Sequence, residues 1–331
     1  MIWGSHYGYL LDPILMDKEV ILNIINSLEN IYISPLEMCN LKCKICYTRK
    51  TDKVLNLKEI KDFTTNYQAA LASANRIVNK EYKYQTQRKL KVKSITLCGG
   101  EVFLLEYLAE LLEFFYSNDI FVQIVTNGTL GGIKHIRNKG NVCLMVSLDG
   151  LEEFHDENRG KGNFAKSIAF IKRARKLGFH TEIFSIVNKS NYHTIKKFET
   201  FIRRYLGRNE YITYLPRKSK AFLNYHPISN RKSCGDNLGY LSDGEYKQLV
   251  SNYKTLPSKD LGCYQISLMS TGKIYGCCEG TKSIGKLGDN LEIVIRKYLE
   301  VLSKMNLSFD YGKLGCFEPD FICGLKKKNS G

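Results

Sequence analysis

The sequence predicts an α/β fold on a parallel sheet, and three observations carry that expectation. Six short β-type runs alternate with amphipathic helical stretches, the order that yields parallel strands joined by right-handed crossovers. The runs are nearly continuous in apolar residues, as strands covered on both faces are. Each run also ends in a polar or glycine-bearing motif, at the strand edge where α/β barrels and open α/β sheets place their active sites.

The elements follow in chain order. Val20, Ile21, Ile24, Ile25 and Leu28 space a short helix expected to pack beside the first strand. The first run, Ile31-Tyr32-Ile33-Ser34-Pro35-Leu36, leads into a loop holding Cys39, Cys43 and Cys46. The second, Ser94 to Cys98, ends in Gly99-Gly100-Glu101. The third, Phe121 to Val125, ends in Thr126-Asn127-Gly128. The fourth, Val142 to Val146, ends in Ser147-Leu148-Asp149-Gly150. The fifth, Thr181 to Val187, ends at Asn188, and the sixth, Tyr211 to Leu215, in Pro216-Arg217. Phe164, Ile168, Ile171 and Leu177 share a helix face with Gly178 as its stop signal. Ile195, Phe198 and Ile202 repeat that spacing after Ser190-Asn191, read as caps. No helix is assignable after the sixth run.

At 331 residues the chain can bury one large domain and a small one. With 44% hydrophobic and 25% charged residues, wholesale disorder is excluded. The N-terminus has no secretory-signal pattern, and no apolar run approaches the roughly 18–20 residues of a membrane span. Eleven cysteines, an odd number, point to a reducing cytoplasmic setting and to metal chemistry rather than disulfides. The net charge of +16 comes largely from lysine-rich stretches such as Lys80–Lys93 and Lys326-Lys327-Lys328. Such patches attract nucleic acid, lipid or acidic peptide. A solvated lysine-rich surface explains them as well, so charge does not choose the substrate and leaves nucleic acid open.

Cys39, Cys43 and Cys46 stand in a CxxxCxxC spacing. Cys43-Lys44-Ile45-Cys46 alone could be half of a zinc knuckle, which needs a second close Cys or His pair. The next cysteine, Cys98, lies in an apolar run. Three thiolates instead suit a 4Fe-4S cluster with one iron left open to a small molecule.

These residues resemble the signature of the radical S-adenosylmethionine (radical SAM) family. The resemblance implies a partial (β/α)6 TIM-type barrel over residues 31–217, preceded by an extension over 1–30. It also implies reductive cleavage of S-adenosylmethionine at the cluster, giving a 5′-deoxyadenosyl radical that abstracts hydrogen. Gly99, Gly100 and Glu101 would contact the amino group of the methionine moiety, although Val102 stands where the family often has proline. Ser147 and Arg159 would hold the cofactor's carboxylate and ribose, a role for which an arginine fork is suited. Asn127 would shape the site. His155 and Asp156 fit loop hydrogen bonds better than catalysis, and Cys98 and Cys143 fit a core role. Ile45 replaces the aromatic residue usual beside the adenine, with Tyr47 just after Cys46.

The tail from residue 218 to 331 is polar, turn-rich and then cysteine-bearing. Ser270-Thr271-Gly272-Lys273-Ile274-Tyr275-Gly276 reads as a hairpin bringing Cys263 towards Cys277. Cys263…Gly272…Cys277 resembles the opening of SPASM and twitch domains, which carry auxiliary iron–sulfur clusters. That resemblance implies Cys263, Cys277, Cys316 and Cys323 as ligands of a second 4Fe-4S cluster, with Cys278 as the spare. A four-cysteine zinc site is the competing assignment; Cys234, isolated, reads as a free thiol.

The implied activity is hydrogen abstraction from a peptide or protein side chain, with small-molecule dehydrogenation as the near alternative. A basic zinc-binding module for nucleic acid is the alternative of another class. The family also implies an electron donor such as flavodoxin or ferredoxin.

Overall fold

A computed structural model describes residue 25 and residues 27–48, 50–81, 89–207, 211–217, 236–255, 264–278 and 283–306. Among these, nine strands form one sheet: β1 (Asn30–Ser34), β2 (Ser94–Leu97), β3 (Phe121–Thr126), β4 (Val142–Ser147), β5 (His180–Val187), β6 (Tyr211–Pro216), β7 (Tyr264–Met269), β8 (Lys273–Cys277) and β9 (Gly285–Lys286). Their order is β6-β5-β4-β3-β2-β1-β7-β8-β9. Strands β1 to β6 are parallel, each beside its sequence neighbour, and coincide with the six expected runs.

The sheet does not end at β1. Strand β7 pairs parallel with it, Ile33 opposite Leu268, and continues as the antiparallel hairpin β7–β8. The hairpin read from Gly272 is therefore present, with Tyr264 opposite Cys277, and is hydrogen-bonded into the main sheet. Cys263, Cys316, Cys323 and Cys234 lie outside the described residues.

The helices are α1 (Leu57–Glu81), α2 (Leu108–Ser117), α3 (Glu152–Arg159), α4 (Asn163–Lys176), α5 (Ile195–Leu206), α6 (Asp243–Asn252) and α7 (Leu291–Asn306). Helix α1 starts at a reciprocal pair: the Glu59 N–H donates to Asn56 and the Asn56 N–H donates to Glu59. Its buried stripe is Ile60, Phe63, Tyr67, Leu71 and Ala74, and α7 packs on it. Phe164, Ile168 and Ile171 of α4 are buried as expected, and Gly178 has φ +89°. Burying each such side chain contributes about 1.5–3 kcal/mol.

Ser190 and Asn191 do not cap α5. A 3-10 turn over Tyr192–Thr194 intervenes, and Thr194 precedes the helix without a side-chain cap bond. Asn191 is instead drawn inward, its amide donating to the carbonyls of Asp149 and Ile186. Among the described residues, the first helix after β6 is α6, which begins in a capping box between Ser242 and Glu245. At the N-terminal end, Ile25 and Leu28 are buried in the same core cluster as Ile31 and Ile33; Val20, Ile21 and Ile24 of the expected short helix lie outside the described residues.

Candidate functional site

The parallel register brings the ends of β1 to β5 to one rim, and most of the polar residues singled out above meet there. The cysteine loop leaves β1 and returns through its own stem, where Leu36 pairs with Val54 and the Leu55 N–H donates to Pro35. Cys39, Cys43 and Cys46 are all half-buried. A turn joins the last two, the Cys46 N–H donating to the Cys43 carbonyl at 3.2 Å.

Gly99 and Gly100 lie directly on that loop. The Gly100 N–H donates to Leu36 and the Glu101 N–H to Met38, at 2.9 and 2.8 Å. A Cβ on Gly100 would sit 1.7 Å from the Met38 carbonyl oxygen, and one on Gly99, whose φ is +145°, 2.5 Å from that of Leu36. Only bare backbone fits here.

Glu101 is fully buried. Its carboxylate accepts from the Thr126 hydroxyl (2.7 Å), the Asn127 N–H (2.8 Å) and the Phe103 N–H (3.2 Å). Burial pushes its carboxyl up, against the pull of these three donors. The side chain thus binds the end of β2 to the end of β3. Asn127 carries the connection onward: its amide donates to Asn40 at 2.9 Å and lies 3.9 Å from Cys39 Sγ.

On the other flank the centre is Asp149, which sequence reasoning did not single out. It accepts from Arg159 Nε (2.5 Å) and Nη2 (3.2 Å), from Asn158 Nδ2 (2.7 Å) and from the Ile186 N–H (3.0 Å). Burial opposes its charge, but Arg159 overrides this and holds the Asp149 carboxyl below its usual range. Burial likewise opposes the charge on Arg159; Asp149 and the nearby Cys43 and Cys46 outweigh it. Asn158 continues towards the cysteines, accepting from the Ile45 N–H at 3.1 Å and, through its backbone carbonyl, from the Lys44 N–H at 2.9 Å. No local spacing reveals these links, because the partners lie on a strand end, a helix end and a distant loop.

His155 and Asp156 are spent structurally. His155 Nδ1 accepts from the Asp149 N–H at 3.2 Å, while its buried Nε2 has no hydrogen-bond partner. Burial lowers its pKa to about 4, so the ring is neutral. Asp156 accepts from the N–H groups of Gly162 and Phe164, starting α4. Ser147 is buried at the end of β4, and Ile45 is buried between two cysteines.

The loop's chemistry fits an iron–sulfur cluster. Burial pushes the Cys43 thiol up, with Arg159 opposing. Burial works in the same sense at Cys46, but Lys50 and the Thr48 hydroxyl, 3.2 Å from its sulfur, bring it below the usual value. Cations beside three thiols from one loop suit an anionic cluster, and a fourth thiol from this loop is absent by sequence. In the tail, Cys277 closes β8 and Cys278 lies half-buried against the core.

A parallel α/β sheet with a three-cysteine loop at its active rim defines a cofactor-binding enzyme class. Residues 33–202 match the radical SAM superfamily, and the chain belongs to it; S-adenosylmethionine and a 4Fe-4S cluster are the cofactors this implies. The chain is 28% identical over 160 residues to the sporulation killing factor maturation protein SkfB of Bacillus subtilis strain 168, covering 46% of this chain and 34% of that one. It is 27% identical over 179 residues to a cysteine-type anaerobic sulfatase-maturating enzyme of Clostridium novyi strain NT, covering 50% and 45%. A nucleotide dehydratase dependent on S-adenosylmethionine, from Lacinutrix mariniflava, is 23% identical over 304 residues, covering 87% and 58%. The alignments thus span about a third to somewhat over half of these relatives. In fold, the chain resembles the anSMEcpe structure with bound AdoMet and Cp18Cys peptide, with TM-score 0.59, 16% identity and 87% of each chain covered. No helix among the described residues is long and apolar enough to cross a membrane.

Proposed function

We propose that the chain reductively cleaves S-adenosylmethionine and abstracts a hydrogen atom from a peptide or protein side chain. The observation that carries this is the CxxxCxxC loop resting on Gly99-Gly100 and held from the other side by the Asp149 centre. In this reading Cys39, Cys43 and Cys46 would hold a 4Fe-4S cluster, which would supply the electron for reductive C–S cleavage. Gly99, Gly100 and Glu101 offer backbone to the cofactor's amino group. Ser147 and Arg159 meet its carboxylate and ribose, with the guanidinium oriented by Asp149. Asn127 keeps the loop in register. Residues 218–331 form an auxiliary region in which Cys263, Cys277, Cys316 and Cys323 hold a second cluster, and an external flavodoxin- or ferredoxin-type donor supplies electrons. Two relatives named as maturation enzymes support a peptide target. Similarity to the nucleotide dehydratase across 87% of the chain supports the second reading, a small molecule.

Anaerobic reconstitution tests the proposal. About eight irons per chain, as two cubanes require, and 5′-deoxyadenosine after adding reductant and S-adenosylmethionine are expected. Zinc with no cofactor cleavage would overturn it. About four irons, all lost when Cys39, Cys43 and Cys46 are changed together, would remove the auxiliary cluster alone.

A further inference from the structure

Asn158 is the penultimate residue of α3 and is buried, with 2% of its surface exposed. It touches the cysteine loop at both residues that separate Cys43 from Cys46: its carbonyl accepts from Lys44, and its side-chain oxygen from Ile45. The orientation of its amide is determined. Asp149 is buried and ionised, held so by Arg159, and an ionised carboxylate only accepts. Nδ2 must therefore face Asp149, which leaves Oδ1 for the Ile45 N–H. A residue 113 positions away closes the turn between two cysteines, and the Asp149–Arg159 pair dictates how.

We propose that Asn158 is a positioning residue that fixes the Cys43–Cys46 turn and ties it mechanically to the Asp149–Arg159 pair. This rests on the functional reading only in treating the cysteines as cluster ligands; the clamp itself is a property of the loop. Removing the side chain frees one loop amide directly and loosens the second. Asn158→Asp is nearly the same shape yet cannot donate to Asp149, and it sets two carboxylates against each other. The isosteric change should therefore do more damage than truncation.

The experiment uses the full chain reconstituted with iron and sulfide, and three variants: Asn158→Ala, Asn158→Asp and Tyr67→Phe. Tyr67 donates one buried hydrogen bond to Leu28, so its variant loses a comparable bond without touching the cysteine loop. In the unaltered chain the Lys44 and Ile45 amides should exchange with solvent deuterium at least about 100-fold more slowly than in an unfolded peptide. Asn158→Ala should speed them about tenfold or more and accelerate iron release to a ferrous chelator several-fold. Asn158→Asp should exceed Asn158→Ala in both, and Tyr67→Phe should change neither. Loop exchange and iron release in Asn158→Ala equal to those of Tyr67→Phe would overturn the inference. So would Asn158→Asp behaving like the unaltered chain. If neither Asn158 variant folds, unprotected Lys44 and Ile45 amides in the unaltered chain still overturn it. Protected amides in a chain that does not cleave S-adenosylmethionine would sink the functional reading and leave the clamp standing.

Discussion

The two rims of the sheet are built from the same strands and obey different rules. At the C-terminal rim, Glu101, Thr126, Asn127, Asp149, Asn158 and Asn191 are buried polar groups bonded to one another or to bare backbone. At the N-terminal rim the polar groups are mostly at the surface. His180 lies 3.6 Å from Glu182, Lys254 3.4 Å from the same carboxylate, and Lys91 2.5 Å from Asp119. Glu29, buried and paired with Lys93, is the exception. A buried polar network is costly unless every member is satisfied, whereas exposed ion pairs contribute little. The contrast marks the C-terminal rim as the one kept for function, at some risk to stability.

Substitutions at the buried C-terminal rim should have the largest effects. Gly100→Ala drives a methyl into the Met38 carbonyl, so the cysteine loop must move by more than an ångström. Cofactor cleavage, followed as 5′-deoxyadenosine, is expected to fall about 100-fold or more. Glu101→Ala strands three donors in a buried site. Urea unfolding should report a loss of about 3 kcal/mol or more, since each buried neutral donor left without a partner costs about 1–3 kcal/mol.

Next is a pH dependence. When folded, His155 takes up a proton only near pH 4; when unfolded, near its ordinary value of about 6.5. Between those values the unfolded chain binds more protons, so stability rises with pH across the window and is lost as pH falls from about 6.5 to 4. The integrated effect is about 3 kcal/mol. His155→Leu should flatten the urea-midpoint profile in that range. The smallest effect belongs to the other rim: Lys254→Ala is expected to change stability by no more than about 0.5 kcal/mol and to leave cofactor cleavage unaltered. A large effect there would erase the distinction between the rims.

Much of this was legible in the residues. Strands β1 to β6 are visible as apolar runs because β-branched and aliphatic residues concentrate in them, but burial on both faces holds only for β4; the other five mix buried residues with partly exposed ones, so one face of each is less covered than the runs imply. The rim was legible because glycines and polar residues fall at strand ends. Pairing of β7 with β1 was not, since more than two hundred residues separate them and no local pattern encodes a parallel neighbour. Asp149 and Asn158 were hidden for a similar reason. Each sits inside a motif already noticed, but its importance lies in partners from other segments. Asn191 misled in the opposite way: its position fits a helix cap, yet tertiary hydrogen bonds at the rim claim its side chain.

On the proposed function, the C-terminal rim is one cofactor site assembled around the Cys39–Cys43–Cys46 loop. Electron paramagnetic resonance of the anaerobically reconstituted, reduced chain, recorded with and without S-adenosylmethionine, tests it most directly. The cofactor should alter a cluster signal that disappears when Cys39, Cys43 and Cys46 are replaced, while any signal surviving that replacement should be insensitive to it. A spectrum unchanged by the cofactor, or changed equally without those cysteines, would mean that the rim is not that site.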